Sequence, residues 1–310
     1  MVGRIIEICR NDRHLALYRG FLLIRQSGNS SCELARIPLD EILAVIAHAH
    51  GLSYTNNVLC ELAQRGIPFV LCNDLHQTVG IVWPVESHHL QAQRIENQVN
   101  ASLPTKKRLW AQIVRSKIHH QATLLEYCKN DPEHLRRMIP KVKSGDPDNY
   151  EAQAARIYWK LLFGKKFVRD RELSGVNSLL NYGYTILRSS MARAVIATGL
   201  HPSIGLHHCN GADAMRLVDD LMEPFRPVID HAVLNILKKE HSAEPSVTPE
   251  NKSLLVSCLF KKAVCCEETS PVTVAMQNLA LSLSRCFAKE KQELNLPVAY
   301  EFTEDFNDRN

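Results

Sequence analysis

The chain has 310 residues, of which 45% are hydrophobic and 23% are charged, and its formal net charge is +4. These values are typical of a water-soluble protein with a core of normal size, and no apolar run is long enough for a membrane span. The first residues include Glu7 and lack the apolar stretch of a secretion signal, so we expect a cytoplasmic protein. None of the ten cysteines forms a Cys-x-x-Cys pair, which argues against zinc ribbons and thioredoxin-type motifs.

The charge is unevenly distributed along the chain. Residues 104–193 contain 18 Lys and Arg against 8 Asp and Glu, so the remainder of the chain is acidic on balance. A basic central region favours a polyanionic partner, nucleic acid first. Solvated helix faces would produce the same imbalance and are the alternative.

The first part of the chain, residues 1–88, is predicted to be a small β-rich domain. Short runs of β-branched and apolar residues alternate with turn residues such as Gly20 and Gly28. Ser53 is a candidate cap for one helix that continues to Arg65. The predicted strands are Arg4–Cys9, His14–Tyr18, Phe21–Arg25, Glu33–Ile37, Ile42–Ile46, Ile67–Cys72 and Thr78–Trp83.

Helical periodicity dominates residues 89–290, which are predicted to form a larger all-α catalytic domain, so the fold class is α+β. Asn177–Thr198 contains Gly183, where we expect a break, and the acidic residues 291–310 are expected to be loose. The other predicted helices are Leu90–Asn100, Lys106–Lys129, Glu133–Lys143, one ending at Phe163 after an Asp148 or Asn149 cap, Asp213–Lys239, Lys252–Lys262 and Pro271–Lys289.

One stretch combines histidines with acids. His207 and His208 end a loop, and Asp219, Asp220 and Glu223 follow on a helical segment, where residues three and four apart share a face. His and carboxylate together suit Mg²⁺ or Mn²⁺. Pairing of the acids with the nearby Arg226 is the simpler alternative.

A third ligand would have to come from elsewhere, and Glu151 is the candidate. A Glu in the first turn of a helix is favoured by the helix dipole without any further role. The small residues Ala152, Ala154 and Ala155 nevertheless allow another helix to approach closely, and a Glu in a crowded interior needs a partner.

The candidate phosphate-binding residues cluster around a Gly-Lys-Lys-Phe loop. They are Lys165, Lys166, Arg169 and Arg171, with Arg188 on the following helix. No P-loop, Gly-x-Gly-x-x-Gly or Gly-x-Ser-x-Gly motif occurs, so nucleotide hydrolysis, Rossmann cofactor binding and α/β-hydrolase chemistry have no support.

Three segments together resemble the catalytic integrase subunit of CRISPR adaptation. They are 146–155 (Asp-Pro-Asp-Asn-Tyr-Glu-Ala-Gln-Ala-Ala), 177–184 (Asn-Ser-Leu-Leu-Asn-Tyr-Gly-Tyr) and 199–227, which contains Gly-Leu-His-His and Asp-Asp-Leu-Met-Glu-Pro-Phe-Arg-Pro. The resemblance covers essentially the whole chain. The paired histidines look most like the variant that accompanies single-protein RNA-guided effectors.

The resemblance implies a metal-dependent DNA endonuclease and integrase of antiviral defence. It inserts short foreign DNA into a repeat array by 3′-hydroxyl attack on a phosphodiester. Mg²⁺ or Mn²⁺ would be bound by Glu151, His208 and Glu223, and Asp220 would support this catalytic site. The implied partners are DNA, a second copy of the chain joined through the β-rich domain, the small second adaptation protein, and other adaptation proteins of the same locus; no membrane is involved.

Two alternatives from other classes stay open. A non-catalytic nucleic-acid-binding scaffold would use its acids only to pair with Arg226. A metallohydrolase acting on a small molecule would have a compact pocket and no salt-sensitive DNA binding.

Overall fold

The structure is a computed structural model that describes residues 4–73, 78–208, 211, 213–240, 245–265 and 268–302. Within these ranges, no helix combines the length and the apolar character needed to cross a bilayer. A sheet-rich N-terminal part precedes a larger, mainly helical part. The predicted α+β class is therefore confirmed.

Eleven strands and ten α-helices are defined in the described ranges. The strands are β1 (Arg4–Ile8), β2 (Arg13–Tyr18), β3 (Phe21–Gln26), β4 (Asn29–Pro38), β5 (Ile42–Ala47), β6 (Ser53–Tyr54), β7 (Phe69–Cys72), β8 (Thr78–Val82), β9 (Lys262–Cys265), β10 (Glu268–Pro271) and β11 (Ala299–Tyr300). The helices are α1 (Asn56–Gln64), α2 (Gln91–Val99), α3 (Leu103–Tyr127), α4 (Glu133–Arg136), α5 (Tyr150–Phe163), α6 (Val176–Ala197), α7 (Arg216–Met222), α8 (Arg226–Glu240), α9 (Pro249–Ser257) and α10 (Val272–Phe287).

One N-terminal sheet connects the two parts of the molecule. Its strand order is β1-β5-β7-β8, with β1, β5 and β7 parallel and β8 antiparallel. Successive strand residues point to opposite faces. Val45 and Phe69 accordingly belong to the N-terminal core, whereas Ile46 and Val70 pack into the helical core.

The second N-terminal sheet has the order β4-β3-β2-β6. The β2–β3 hairpin turns at Arg19 and Gly20, whose φ angles of 47° and 82° match the right-handed twist of the strands. Ser53 is not the predicted helix cap, because it pairs with β2 as part of β6. Thr55 occupies the cap position of α1 instead.

The helical part is built around α3 and α6. The predicted break at Gly183 is wrong, because α6 is continuous. Gly183 has no side chain, so helix α8 can pack closely against α6 at this point. A Cβ on Gly183 would lie 2.4 Å from Ile229 Cγ2. The single helix predicted over 213–239 is also wrong, because α7 and α8 are separated by a 3₁₀ turn, Glu223–Phe225, that contains Pro224.

A third sheet, β10-β9-β11, lies within the mainly helical part, which is therefore not all-α as predicted. The expectation of a loose segment after residue 290 is wrong for residues 299 and 300, which form β11. The Tyr300 side chain is buried there, and its hydroxyl donates to the Pro224 carbonyl at 3.0 Å. Residues 303–310 of the predicted loose segment lie outside the described residues.

Glu7 joins the sheets to the helices through a polar cluster. Its carboxylate accepts hydrogen bonds from Tyr182 on α6 (2.7 Å) and Lys252 on α9 (2.7 Å), and lies 2.5 Å from His48 Nε2. Burial alone would raise the pKa of Glu7, but these partners outweigh it and lower the pKa to about 2. The group is therefore an anion that ties both parts of the fold together.

Replacing Glu7 with Gln should lower the free energy of unfolding by about 1–3 kcal/mol at pH 7. Because the folded-state pKa is depressed, the stabilisation is present above about pH 4.5 and is lost as the pH falls toward 2. Urea unfolding of both proteins from pH 7 to pH 3 should show the difference shrinking. A constant difference would contradict a role for the Glu7 charge.

Replacing Gly183 with Ala should destabilise the protein by about 1–3 kcal/mol, because the added methyl group overlaps Ile229. The matched control is Gly211→Ala, where a Cβ would meet no atom within 4 Å. Urea unfolding measures both. Equal stability of the two variants would show that the α6–α8 contact adjusts at no cost.

Candidate functional site

Glu151 is held in place by a doubly capped helix start. The Asn149 side chain accepts from a backbone N–H of the first turn of α5 (3.3 Å), and the Asp146 carboxylate accepts from the Tyr150 and Glu151 N–H groups (2.9 Å each). Asp146 and Asn149 both have positive φ angles, which turn the chain sharply into the helix. The predicted Asn149 cap is confirmed, and the Glu151 carboxylate contacts the Lys117 ammonium on α3.

Glu223 is buried in the 3₁₀ turn between α7 and α8, with only 4% of its surface exposed. Its Oε1 accepts from Arg226 Nε (2.8 Å), and its Oε2 lies 2.5 Å from Lys117 Nζ without a well-aligned hydrogen bond. Burial alone would raise the pKa of Glu223, but Arg226 and Lys117 outweigh it and lower the pKa to about 2. Glu223 is thus a carboxylate anion in the interior.

Lys117 brings the two glutamates together. Its side chain is buried on α3 and contacts carboxylates from α5 and from the α7–α8 turn. Burial alone would lower the pKa of Lys117, but Glu223 and Glu151 outweigh it and raise the pKa. The sequence analysis missed this residue, although a lysine four residues after Ile113 and beside Ile118, within an apolar stripe, indicates a buried cation.

Asp220 organises the histidine loop. This fully buried carboxylate accepts from the backbone N–H groups of Leu206 (2.6 Å), His207 (3.1 Å) and His208 (3.3 Å), and its Oδ1 lies 2.5 Å from His208 Nδ1. The hydrogen bond to Asp220 is the main reason why the pKa of His208 is raised. Since Nδ1 faces Asp220, Nε2 is the ring nitrogen that a ligand can approach.

The two adjacent histidines have different surroundings. The His207 ring stacks flat on Trp110, with ring centroids 4.5 Å apart and an interplanar angle of 1°. The His208 ring meets the same indole edge-on at 5.9 Å. His207 therefore has a packing role beside the site, whereas His208 opens toward the cleft.

The three predicted ligands line one open cleft of about 1130 Å³. Glu151, His208 and Glu223 reach it from separate segments, together with Lys117, while Asp220 lies behind His208. Among the residues that the structure describes, no three His, Cys, Asp or Glu side chains are close enough to hold a metal ion. The ligand set is thus gathered around the cleft, with the Lys117 ammonium between its two glutamates.

The predicted phosphate-binding residues divide into two groups. Arg169, Arg171 and Arg188 line the cleft, whereas Lys165 and Lys166 are exposed and are not part of its lining.

Partners distinguish the arginines of the cleft. Arg188 is held by Asp219 (2.7 Å) and Asp213 (3.0 Å). Arg169 is held by the side-chain amides of Asn177 and Asn181, and burial lowers its pKa. Because Arg169 hydrogen-bonds to amide oxygens rather than to carboxylates, its positive charge stays available to an anion in the cleft.

Sequence and structure comparisons place this fold in a known family. The family model described as CRISPR associated protein Cas1 matches residues 6–265. The chain belongs to the Cas1 family. A CRISPR-associated endonuclease Cas1 of Neisseria meningitidis serogroup C (strain 8013) is 35% identical over 254 residues, which cover 81% of this chain and 82% of the relative.

Solved structures share the fold at low sequence identity. A casposase bound to its integration product has a TM-score of 0.79 at 17% identity and covers 94% of this chain and 92% of that one. A Cas1 protein from Thermotoga maritima has a TM-score of 0.73 at 18% identity, covering 94% and 99%. The family resemblance inferred from the three sequence segments is confirmed.

Replacing Asp220 with Asn should loosen the histidine loop, because an amide group offers one acceptor oxygen in place of two. We expect faster hydrogen exchange at the N–H groups of residues 206–208 and a loss of about 1–3 kcal/mol in stability. Hydrogen-exchange mass spectrometry measures the first and urea unfolding the second. The matched control, Asp219→Asn, should disturb Arg188 and leave that loop protected; equal exchange in both variants would contradict the assignment.

Proposed function

We propose that this chain is a metal-dependent DNA endonuclease and integrase that inserts short foreign DNA into a CRISPR repeat array. The observation that carries the proposal is that Glu151, His208 and Glu223 all line one cleft, together with arginines that face it. A Neisseria meningitidis relative is named an endonuclease, and a casposase with the same fold was solved with its integration product.

The donor set fits a hard divalent cation such as Mg²⁺ or Mn²⁺. Two carboxylates and one imidazole are suitable ligands. The buried Glu223 Oε2 lies 2.5 Å from Lys117 Nζ without a well-aligned hydrogen bond, so a charged group already occupies the place next to this oxygen. Lys117 already brings a positive charge to both glutamates, so the site is built to stabilise a cation. We assign Glu151, His208 and Glu223 as the ligands.

The chain's own groups prepare the reaction. A bound divalent ion supplies Lewis-acid polarisation of the phosphodiester. Asp220 fixes the ring of His208, and Arg226 fixes the carboxylate of Glu223. Arg169 and Arg171 are positioned to hold DNA phosphates in the cleft. A DNA 3′-hydroxyl as the attacking group gives integration, and water at the same place gives hydrolysis.

The proposed assembly includes further chains. Residues 1–88 would join two copies, residues 89–290 would carry catalysis, and two such dimers would flank a dimer of the small second adaptation protein. A Cas6-RT-Cas1–Cas2 complex contains a chain of the same fold, with a TM-score of 0.73 at 17% identity over 97% of this chain and 36% of that one. Other adaptation proteins of the same locus are further proposed partners.

A non-catalytic DNA-binding scaffold is the second candidate. The observation that favours it is that Glu223 already pairs with Arg226 and Lys117, and Asp219 with Arg188. In this case the cleft would hold DNA without breaking it. Metal-dependent DNA cleavage and joining are expected of the integrase and not of the scaffold, so measuring them distinguishes the two functions.

Joining of a short duplex with free 3′-hydroxyls to a plasmid that carries a repeat array, in Mn²⁺ and with the small partner protein, tests the proposal. Glu151→Gln, His208→Ala and Glu223→Gln should each lower the joining rate about 100-fold or more, since each removes a group that organises charge at the reacting phosphate. The control Glu126→Gln alters an exposed acid on α3 and should join normally. DNA binding without joining in the wild type would favour the scaffold.

DNA affinity should fall steeply with salt, and Arg171→Gln should reduce the slope of log affinity against log salt by about 1. Arg171 is exposed and lines the cleft. The control variant Lys160→Gln changes an exposed residue of α5 that does not line the cleft, so its slope should equal that of the wild type. Fluorescence anisotropy with one duplex at several salt concentrations measures both. An unchanged slope in Arg171→Gln would place the DNA elsewhere.

A further inference from the structure

Lys117 contacts two of the three proposed metal ligands. Its ammonium bonds to Glu151 Oε1 and lies 2.5 Å from Glu223 Oε2, and its side chain is 7% exposed. These carboxylate oxygens are the same atoms that a divalent cation would need. A metal ion and an ammonium group that compete for the same oxygens repel each other strongly at such distances.

One turn further along α3, Gln121 has an unused acceptor. Its Oε1 is buried and has no hydrogen-bond partner in the described structure, and the residue lines the same cleft. Side chains four residues apart on a helix are neighbours, so the flexible lysine stem can reach this oxygen. A buried acceptor without a partner costs free energy, and an ammonium group would remove that cost.

We propose that Lys117 is a built-in cation that holds Glu151 and Glu223 together in the metal-free protein and moves to Gln121 when a divalent ion binds. This inference rests on the proposed metal site and adds a competitor that sets its affinity. The metal must displace an ammonium group from at least one carboxylate, so part of its binding free energy is spent on that displacement. Lys117 is thus a positioning residue, and Gln121 is its acceptor in the metal-bound state.

Binding of Mn²⁺ alone to the full chain, measured by calorimetry and by the electron paramagnetic resonance signal of free Mn²⁺, tests this. Lys117→Met keeps the stem and removes the competitor, so Mn²⁺ should bind about tenfold more tightly if the lysine is in place in nine of ten metal-free molecules. Gln121→Leu removes the second acceptor and should weaken binding. The control Lys160→Met changes an exposed lysine of α5 and should bind as the wild type does.

Thermal unfolding gives a readout that does not depend on activity. Without metal, Lys117→Met should melt at a lower temperature, because Glu151 and Glu223 lose their shared cation. Saturating Mn²⁺ should raise its melting temperature by more than it raises that of the wild type.

The wild type alone provides a second test if Lys117→Met folds poorly. Acylation of lysines followed by mass spectrometry should find Lys117 protected without metal and more reactive with Mn²⁺, while Lys160 reacts equally in both conditions. Equal Mn²⁺ affinity of the wild type and Lys117→Met, or weaker binding by Lys117→Met, would overturn the competition and leave the metal site standing. A wild type that binds no Mn²⁺ would overturn the proposed metal site itself.

Discussion

The ion cluster formed by the buried Lys117 and Glu223 and the partly exposed Glu151 and Arg226 is the constraint around which the helical part is arranged. Removing carboxylates from water is costly unless opposite charges accompany them. Lys117 is far in sequence from both of its partners, Glu151 and Glu223, whereas Glu223 and Arg226 form a local pair. Helices α3 and α5 and the α7–α8 turn must therefore fold together for any of these charges to be satisfied, and their meeting point is the wall of the cleft.

Neighbouring carboxylates take different roles because their surroundings differ. Asp219 faces an arginine at the cleft surface, Asp220 is turned inward to a ring of backbone N–H groups, and Glu223 occupies a turn that a proline forces on the chain. Asp219 and Glu223, four residues apart, share a face and both line the cleft, whereas the adjacent Asp220 lies on another face. The acid-rich segment thus serves the histidine loop through Asp220 and the proposed metal ligand set through Glu223.

Sequence reasoning located the proposed site but not the contacts that hold it. The Asn149 cap and the acid spacing are local features, so they could be predicted, and the three conspicuous segments revealed the family. The apolar stripe around Lys117 indicates that its cation is buried, but its partners are 34 and 106 residues away, and helical periodicity cannot identify partners at that separation. The continuous α6 was missed for a similar reason: Gly183 weakens a helix locally, and only the packing against Ile229 explains why it is there.

The short strand β11 changes how the end of this chain should be handled in the laboratory. Through the Tyr300 hydroxyl it supports the carbonyl of Pro224, the residue next to Glu223. His120 on α3 lies 2.9 Å from the Pro297 carbonyl, so the same segment also rests on the helix that carries Lys117. An expression fragment that stops before residue 297 would therefore lose two contacts that support the cleft, those of His120 with Pro297 and of Tyr300 with Pro224. Inactivity of such a truncated protein would give no information about the catalytic groups themselves.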